Sequence, residues 1–216
     1  MSGWNSPSTS SGVGLDDVEL LHLALNAMRQ DRHDQAMSLL KRAIQTSPDN
    51  AKAHYLLGAE HAQIGLYDRA VADMTEAVRL DPSLAAARFQ LGLLHLTSGR
   101  WREAEAVWQP LDQLAADDAL RLFKSALLHL VQDDRAKCIE ELQAGIARNK
   151  LNEALNDDMR RLLVDLQSRE AGQSVAKEAA SNSNASASQE PIQVPRPSKR
   201  MLLSAYDRNQ DDTPTD

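Results

Sequence analysis

The sequence predicts an all-α protein: a helical solenoid of four helix-turn-helix repeats followed by a C-terminal capping helix. Two observations carry that prediction. First, a 34-residue unit recurs four times without a gap from Asp17 to Asn152, as Asp17–Asn50, Ala51–Leu84, Ala85–Asp118 and Ala119–Asn152. Second, fixed positions in the unit keep a fixed size. The eighth position is always small (Ala24, Gly58, Gly92, Ala126), and so is the twentieth (Ala36, Ala70, Ala104, Cys138). The twenty-fourth is bulky and apolar (Leu40, Met74, Trp108, Leu142). A constant period with constant small and large sites marks a repeat array, not an enzyme built around one pocket.

Each unit holds two apolar-periodic stretches of about a dozen residues. Leu20, Leu23, Ala24 and Ala27 recur at three- and four-residue spacing, which predicts an amphipathic helix. Gln30-Asp31-Arg32-His33, Ile64-Gly65-Leu66-Tyr67 and Ser98-Gly99-Arg100-Trp101 separate the two stretches in the first three units. The small sites let paired helices approach closely, and the bulky sites fill the space beside them. Ser47-Pro48-Asp49 and Asp81-Pro82-Ser83 close the first two units, because proline disfavours helix at the residue before it. Pro110 is expected to kink the second helix of the third unit.

On these residues the chain resembles the tetratricopeptide repeat (TPR) family, of the bacterial type. Unit two fits best, with Leu57, Gly58, Ala70, Met74, Ala77 and Pro82. Unit three keeps Leu91, Gly92, Ala104 and Trp108 but has Ala116 where the family usually has proline. Unit four departs furthest, with Ser125, Cys138, Gly145 and Lys150. Position four, often Trp in this family, is Leu20, His54, Arg88 and Leu122. Position eleven, often Tyr, is Ala27, His61, His95 and His129. The resemblance implies a right-handed solenoid that binds proteins or peptides.

Beyond Asn152 one more amphipathic helix is expected over 153–170, with Leu155, Met159, Leu162, Leu163 and Leu166 on one side. Asn152 can cap its start, and Glu153, Asp157 and Asp158 suit its positive end. A terminal helix of this kind covers the last repeat of a solenoid. Residues 1–16 and 171–216 are too polar and too rich in small residues to predict order. Within the C-terminal stretch, Pro195-Arg196-Pro197-Ser198-Lys199-Arg200 leads into the apolar Met201-Leu202-Leu203-Ser204-Ala205-Tyr206 and then an acidic end. This hexamer is either a docking motif, able to seat in the chain's own groove, or a fluctuation of composition.

The 216 residues carry 31 acids against 24 bases, for a formal charge of −7. A mildly acidic body without a basic stripe argues against nucleic acid. No apolar run reaches the roughly 18–20 residues that span a bilayer, and the N-terminus lacks the apolar core of a secretory signal. A cytoplasmic location is the expectation. The single cysteine, Cys138, excludes an internal disulfide and is read as core. No phosphate loop, metal-spaced Cys/His set or nucleophile with a neighbouring base is present. His61, His95 and His129 share one repeat position, but packed helices about 8–10 Å apart cannot bring three imidazoles onto one metal with bonds of about 2 Å. They are read as polar packing inside each unit, and Trp101 and Trp108 as core. No cofactor and no catalytic activity are expected.

The family's inner, concave face is lined by positions two, five, nine, twelve and thirteen of each first helix. Here position five reads Leu21, Tyr55, Phe89, Phe123, and position nine reads Leu25, Ala59, Leu93, Leu127. Position twelve is Met28, Ala62, Leu96 and Leu130. Such an apolar strip marks a partner site if it faces water, and the eight residues at positions five and nine are the expected peptide-binding set. The same residues would also serve to pack neighbouring first helices together. Family members that grip acidic C-termini carry Lys, Arg and Asn here, whereas this chain offers mainly Lys52, Gln90 and Lys124. An apolar helix or extended peptide is therefore the expected ligand. The functional expectation is a non-catalytic interaction module, an adaptor or assembly factor. Alternatives are a chaperone for a bacterial secretion-system substrate and a regulatory domain of an enzyme complex.

Overall fold

The computed structural model describes residues 15–150 and 152–180. Residues 1–14, and with them most of the expected N-terminal stretch, lie outside the described residues, as does Met201–Tyr206. Among the described residues there is no strand. The helices are α1 (Asp17–Arg29), α2 (His33–Thr46), α3 (Ala51–Gln63), α4 (Tyr67–Leu80), α5 (Ala85–Thr97), α6 (Trp101–Trp108), α7 (Ala119–Val131), α8 (Arg135–Arg148) and α9 (Glu153–Ala180). First helices begin at 17, 51, 85 and 119 and second helices at 33, 67, 101 and 135, so the 34-residue register holds in all four units.

The turn between paired helices is the same four times. Position fifteen adopts positive φ in every unit: Asp31 (58°), Gly65 (81°), Gly99 (76°) and Asp133 (59°). The next amide reaches back five residues, as Leu66 N–H donates to the His61 carbonyl (2.8 Å) and Arg100 N–H to the His95 carbonyl (2.9 Å). This is the Schellman arrangement, which ends a helix with one residue in the left-handed region. Units two and three meet that demand with glycine. Units one and four meet it with aspartate, which tolerates the region better than other side chains.

Helix starts are capped where the sequence supplies an acceptor. Asp16 and Glu19 form a reciprocal capping box on α1. Asn50 caps α3, Asp118 caps α7, and Asp134 caps α8. Asn152 caps α9 as expected, its side-chain oxygen accepting from Leu155 N–H at 2.8 Å.

Two elements differ from the sequence expectation. Pro110 does not kink a continuing helix: α6 stops at Trp108 and the chain passes into a 3-10 helix, Gln109–Gln113. Proline lacks the amide an α-helix needs in its interior but is at home in the first turn of a new one. The capping helix runs to Ala180, not 170. The stretch 171–180 is rich in Ala, Glu, Lys and Gln, which favour helix even with little apolar surface to bury.

The core divides into two clusters. One gathers units one and two with Ala87, Leu91 and Leu94 of α5. The other gathers Phe89, Leu93 and Leu96 of α5 with units three and four and with Leu155, Met159, Leu162 and Leu166 of α9. Helix α5 is thus apolar on two sides and joins both halves.

The turns give a direct test. An added Cβ at Gly99 meets no atom within 4 Å, so Gly99→Ala should cost only the backbone penalty, about 1 kcal/mol in urea unfolding. Asp31→Gly should change stability little or raise it, because the strained residue is relieved.

Candidate functional site

The strip expected to line the inner face is continuous and apolar, but it is closed. Leu21, Leu25, Tyr55, Ala59, Phe89, Leu93, Phe123 and Leu127 are all between 0 and 5 % exposed. Met28, Ala62, Leu96 and Leu130 at position twelve are buried as well. As an open, solvated surface the strip is not present in this structure.

Position five is closed by packing within the repeat array. The Phe89 ring stacks on Trp108 of its own unit, with centroids 5.7 Å apart and planes at 20°. It also meets Phe123 of the next unit at 6.5 Å, tilted by 53°. Trp108 Nε1–H donates to the Phe89 carbonyl at 2.8 Å, which satisfies the one polar group of a fully buried indole. Phe123 rests on α8, where a Cβ on Gly145 would lie 2.5 Å from its ring. These rings point between paired helices. A wheel of about 100° per residue places position five about 60° from position eight, which faces the second helix.

Position nine is closed too: Leu25 and Ala59 belong to the first core cluster and Leu93 and Leu127 to the second, all between 0 and 3 % exposed. Three of the four units carry large side chains at positions nine and twelve: Leu25 with Met28, Leu93 with Leu96, Leu127 with Leu130. Unit two has Ala59 with Ala62. Both alanines are buried, so the smaller side chains of unit two leave no open recess over α3.

The polar groups near the strip are mostly engaged. Lys124 is buried and donates to Asp112 Oδ2 at 2.6 Å, tying α7 to the 3-10 helix. Gln90 is buried and Lys52 half-buried. Buried, paired cations make a poor carboxylate clamp, because a ligand anion would have to displace the existing partner. Burial pushes the Tyr55 phenol upward.

The histidines of position eleven do pack within their units. His61 Nδ1 lies 2.6 Å from Asp73 Oδ2 across α3 and α4. His129 sits 3.9 Å from Asp134 and 3.8 Å from Glu141. His95 is partly buried, and loss of solvent lowers its pKa. Links between units were not anticipated from the sequence. His33 Nδ1 on α2 meets Glu60 Oε2 on α3 at 2.7 Å, and Glu60 is almost fully buried. Asn149, Asn152 and Asn156 form a buried amide cluster that seats α9: Asn149 Nδ2 donates to Asn156 Oδ1 and Asn156 Nδ2 to the Asn149 carbonyl. The signal for this cluster was an Asn at each of three positions around a helix start. Trp101 is not core: it is 38 % exposed, with the Arg102 guanidinium 4.5 Å above its ring. Among the described residues no three His, Cys, Asp or Glu side chains converge to hold a metal ion. No described helix is long and apolar enough to cross a membrane.

Two outcomes follow from this packing. A Cβ on Gly92 would sit on the Trp108 indole, so Gly92→Ala should destabilise the chain by about 2–3 kcal/mol in urea unfolding. Trp108→Leu in the same chain should recover part of that loss, read as a double-mutant cycle. Cys138 is fully buried, and burial with Glu141 and Asp134 nearby pushes its thiol up to about 12 from 9.0. A thiol reagent should react with it only after unfolding. A raised pKa means that stability is intact below pH 9 and falls as the unfolded thiol ionises above it. The Cys138 share of the loss between pH 8 and pH 10 is about 1.4 kcal/mol, absent from the slope of Cys138→Ser.

Comparison with known proteins agrees with the architecture. The tetratricopeptide repeat model matches residues 21–85 and 60–119. No curated protein matches the sequence. Among solved structures, the fold is similar to "MamA RS-1 ArsTM double mutant", with TM-score 0.56 and 19% identity over 94% of this chain and 100% of that one. It is similar to "MamA 41-end from Desulfovibrio magneticus RS-1", with TM-score 0.54 and 19% identity over 80% and 100%. A further structure, "Crystal structure of MamA", gives TM-score 0.53 and 19% identity over 62% and 78%. At such identity the likeness shows the fold. The family-model match over residues 21–119 and the repeated helix pairs show that this chain contains tetratricopeptide repeats.

Proposed function

We propose that this chain is a non-catalytic protein-interaction module that holds an apolar segment, of another protein or of its own C-terminal end, along the inner side of its first helices. The observation that supports this reading is the tetratricopeptide repeat match together with the continuous apolar row Leu25, Ala59, Leu93 and Leu127 at one repeat position. An apolar row of that length suits an extended or helical apolar segment. The buried, paired state of Lys124 supports an apolar ligand over a carboxylate one.

Photo-crosslinking on the full-length chain tests the reading. A synthetic apolar hexapeptide carrying a photoreactive leucine should label α1, α3 and α5 around Ala59, and Ala59→Phe should lower that labelling at least fivefold while the circular dichroism spectrum is retained. Labelling confined to α2, α4 or α8 would place the interaction elsewhere and sink the groove reading.

A further inference from the structure

The turn between paired helices is polar at two of its positions in three units and apolar in one. Position fourteen is Gln30, Ser98 and Gln132 in units one, three and four, but Ile64 in unit two. Position sixteen is Arg32, Arg100 and Asp134, but Leu66 in unit two. Ile64 and Leu66 are each 39 % exposed, so neither is committed to the core. Leu66 also holds the residue before α4, where a short polar side chain would cap the first turn, and it caps nothing. Folding therefore does not call for apolar side chains at this turn. Trp101, at the start of α6 in the next unit, is exposed as well.

A cleft of about 560 Å³ lies between the turns of units two and three. Leu66, Tyr67, Asp68 and Arg69 line it from one side, and Ser98 and Arg100 from the other. Two cations from neighbouring units thus meet one space. Among the described residues neither guanidinium has an ion pair or a hydrogen-bonded acceptor. Arg100 is half-buried, and its Nε is enclosed without a partner. A donor cut off from water and from protein acceptors is costly until a ligand supplies the acceptor. We infer that this cleft docks an acidic-apolar segment of a partner protein. A glutamate or aspartate carboxylate enters between Arg69 and Arg100, and a neighbouring bulky apolar side chain lies on the Ile64–Leu66 edge. The site goes beyond the inner-row reading and shares no residue with that row.

Charge selects the occupant. Two arginines less the one aspartate, Asp68, leave the lining with a net charge of +1, which one carboxylate balances. A phosphate ester of about −1.5 to −2 would exceed it and meet the Asp68 carboxylate besides. A guanidinium offers paired N–H donors that match the two oxygens of a carboxylate. The volume falls in the range of about 300–1,000 Å³ typical of small-ligand pockets, enough for adjoining side chains of one segment. Leu66 then loses its contact with water under the apolar side chain, which gives the carboxylate a less solvated pair than an open surface would.

The test uses the full-length chain and three fluorescein-labelled octapeptides read by anisotropy. Each has two leucines around one central residue in a Gly-Ser background, the central residue being glutamate, glutamine or phosphoserine. The inference expects the glutamate peptide to bind about fivefold more tightly than the glutamine one. Arg69→Gln, an exposed site whose change leaves the helices intact by circular dichroism, should erase that preference, and Arg100→Gln should do the same. Leu66→Ser should weaken the glutamate and glutamine peptides equally. Equal binding of those two peptides by the native chain, binding of neither, or a preference that survives both arginine substitutions would overturn the site. Tighter binding of the phosphoserine peptide would overturn the carboxylate assignment. Arg69→Gln should leave the labelling of α3 by the apolar hexapeptide probe unchanged, so this site and the inner row can fail separately. Loss of that labelling together with the glutamate preference would merge the two and overturn this one.

Discussion

The whole array depends on the close approach of two helices in each unit. Ala24, Ala36, Ala70, Ala104, Ala126 and Cys138, with Gly58 and Gly92, hold the helix axes near enough for position twenty-four to fill the gap. Close packing of this kind leaves no room for adjustment by a methyl group. Once the axes are that close, the ring at position five must lie between the paired helices. Phe89 and Phe123 are then committed to the core by the same geometry that makes the repeat.

Helix α5 converts repeated local pairing into one body. Its Ala87, Leu91 and Leu94 complete the first cluster and its Phe89, Leu93 and Leu96 open the second. An amphipathic helix has one apolar stripe, whereas a helix inside an array needs two. The shortened α6 adds local reinforcement. Where Pro110 ends the α-helix, the Trp108–Phe89 bond joins α6 to α5 and the Lys124–Asp112 pair joins the 3-10 helix to α7. Units three and four therefore share more specific polar contacts than their weaker match to the family pattern suggests.

For function, the useful distinction is between positions five and nine. Both are apolar in all four units, and sequence pattern alone groups them on one face. The structure buries both, and ring contacts tie position five to the helix pair, as Phe89 on Trp108 shows. The size drop at Ala59 and Ala62 is visible in the sequence, and the structure buries both residues.

Sequence alone determined the number of units, their 34-residue register and the turns of the first three. Periodicity, small sites and turn residues are local properties, repeated four times, and each repeat corroborates the others. It also determined the cap at Asn152 and the core placement of Cys138 and Trp108, because those follow from register. Only the tertiary structure decided that the apolar strip is closed, that Trp101 is exposed, and that Lys124 and Glu60 are buried against partners twelve and twenty-seven residues away. Burial at these places is set by the spacing and angle between helices, which no single repeat encodes. The fate of Pro110 belongs to the same class: its missing amide was legible, but the 3-10 segment that replaced the kink depended on what α7 offered to pack against.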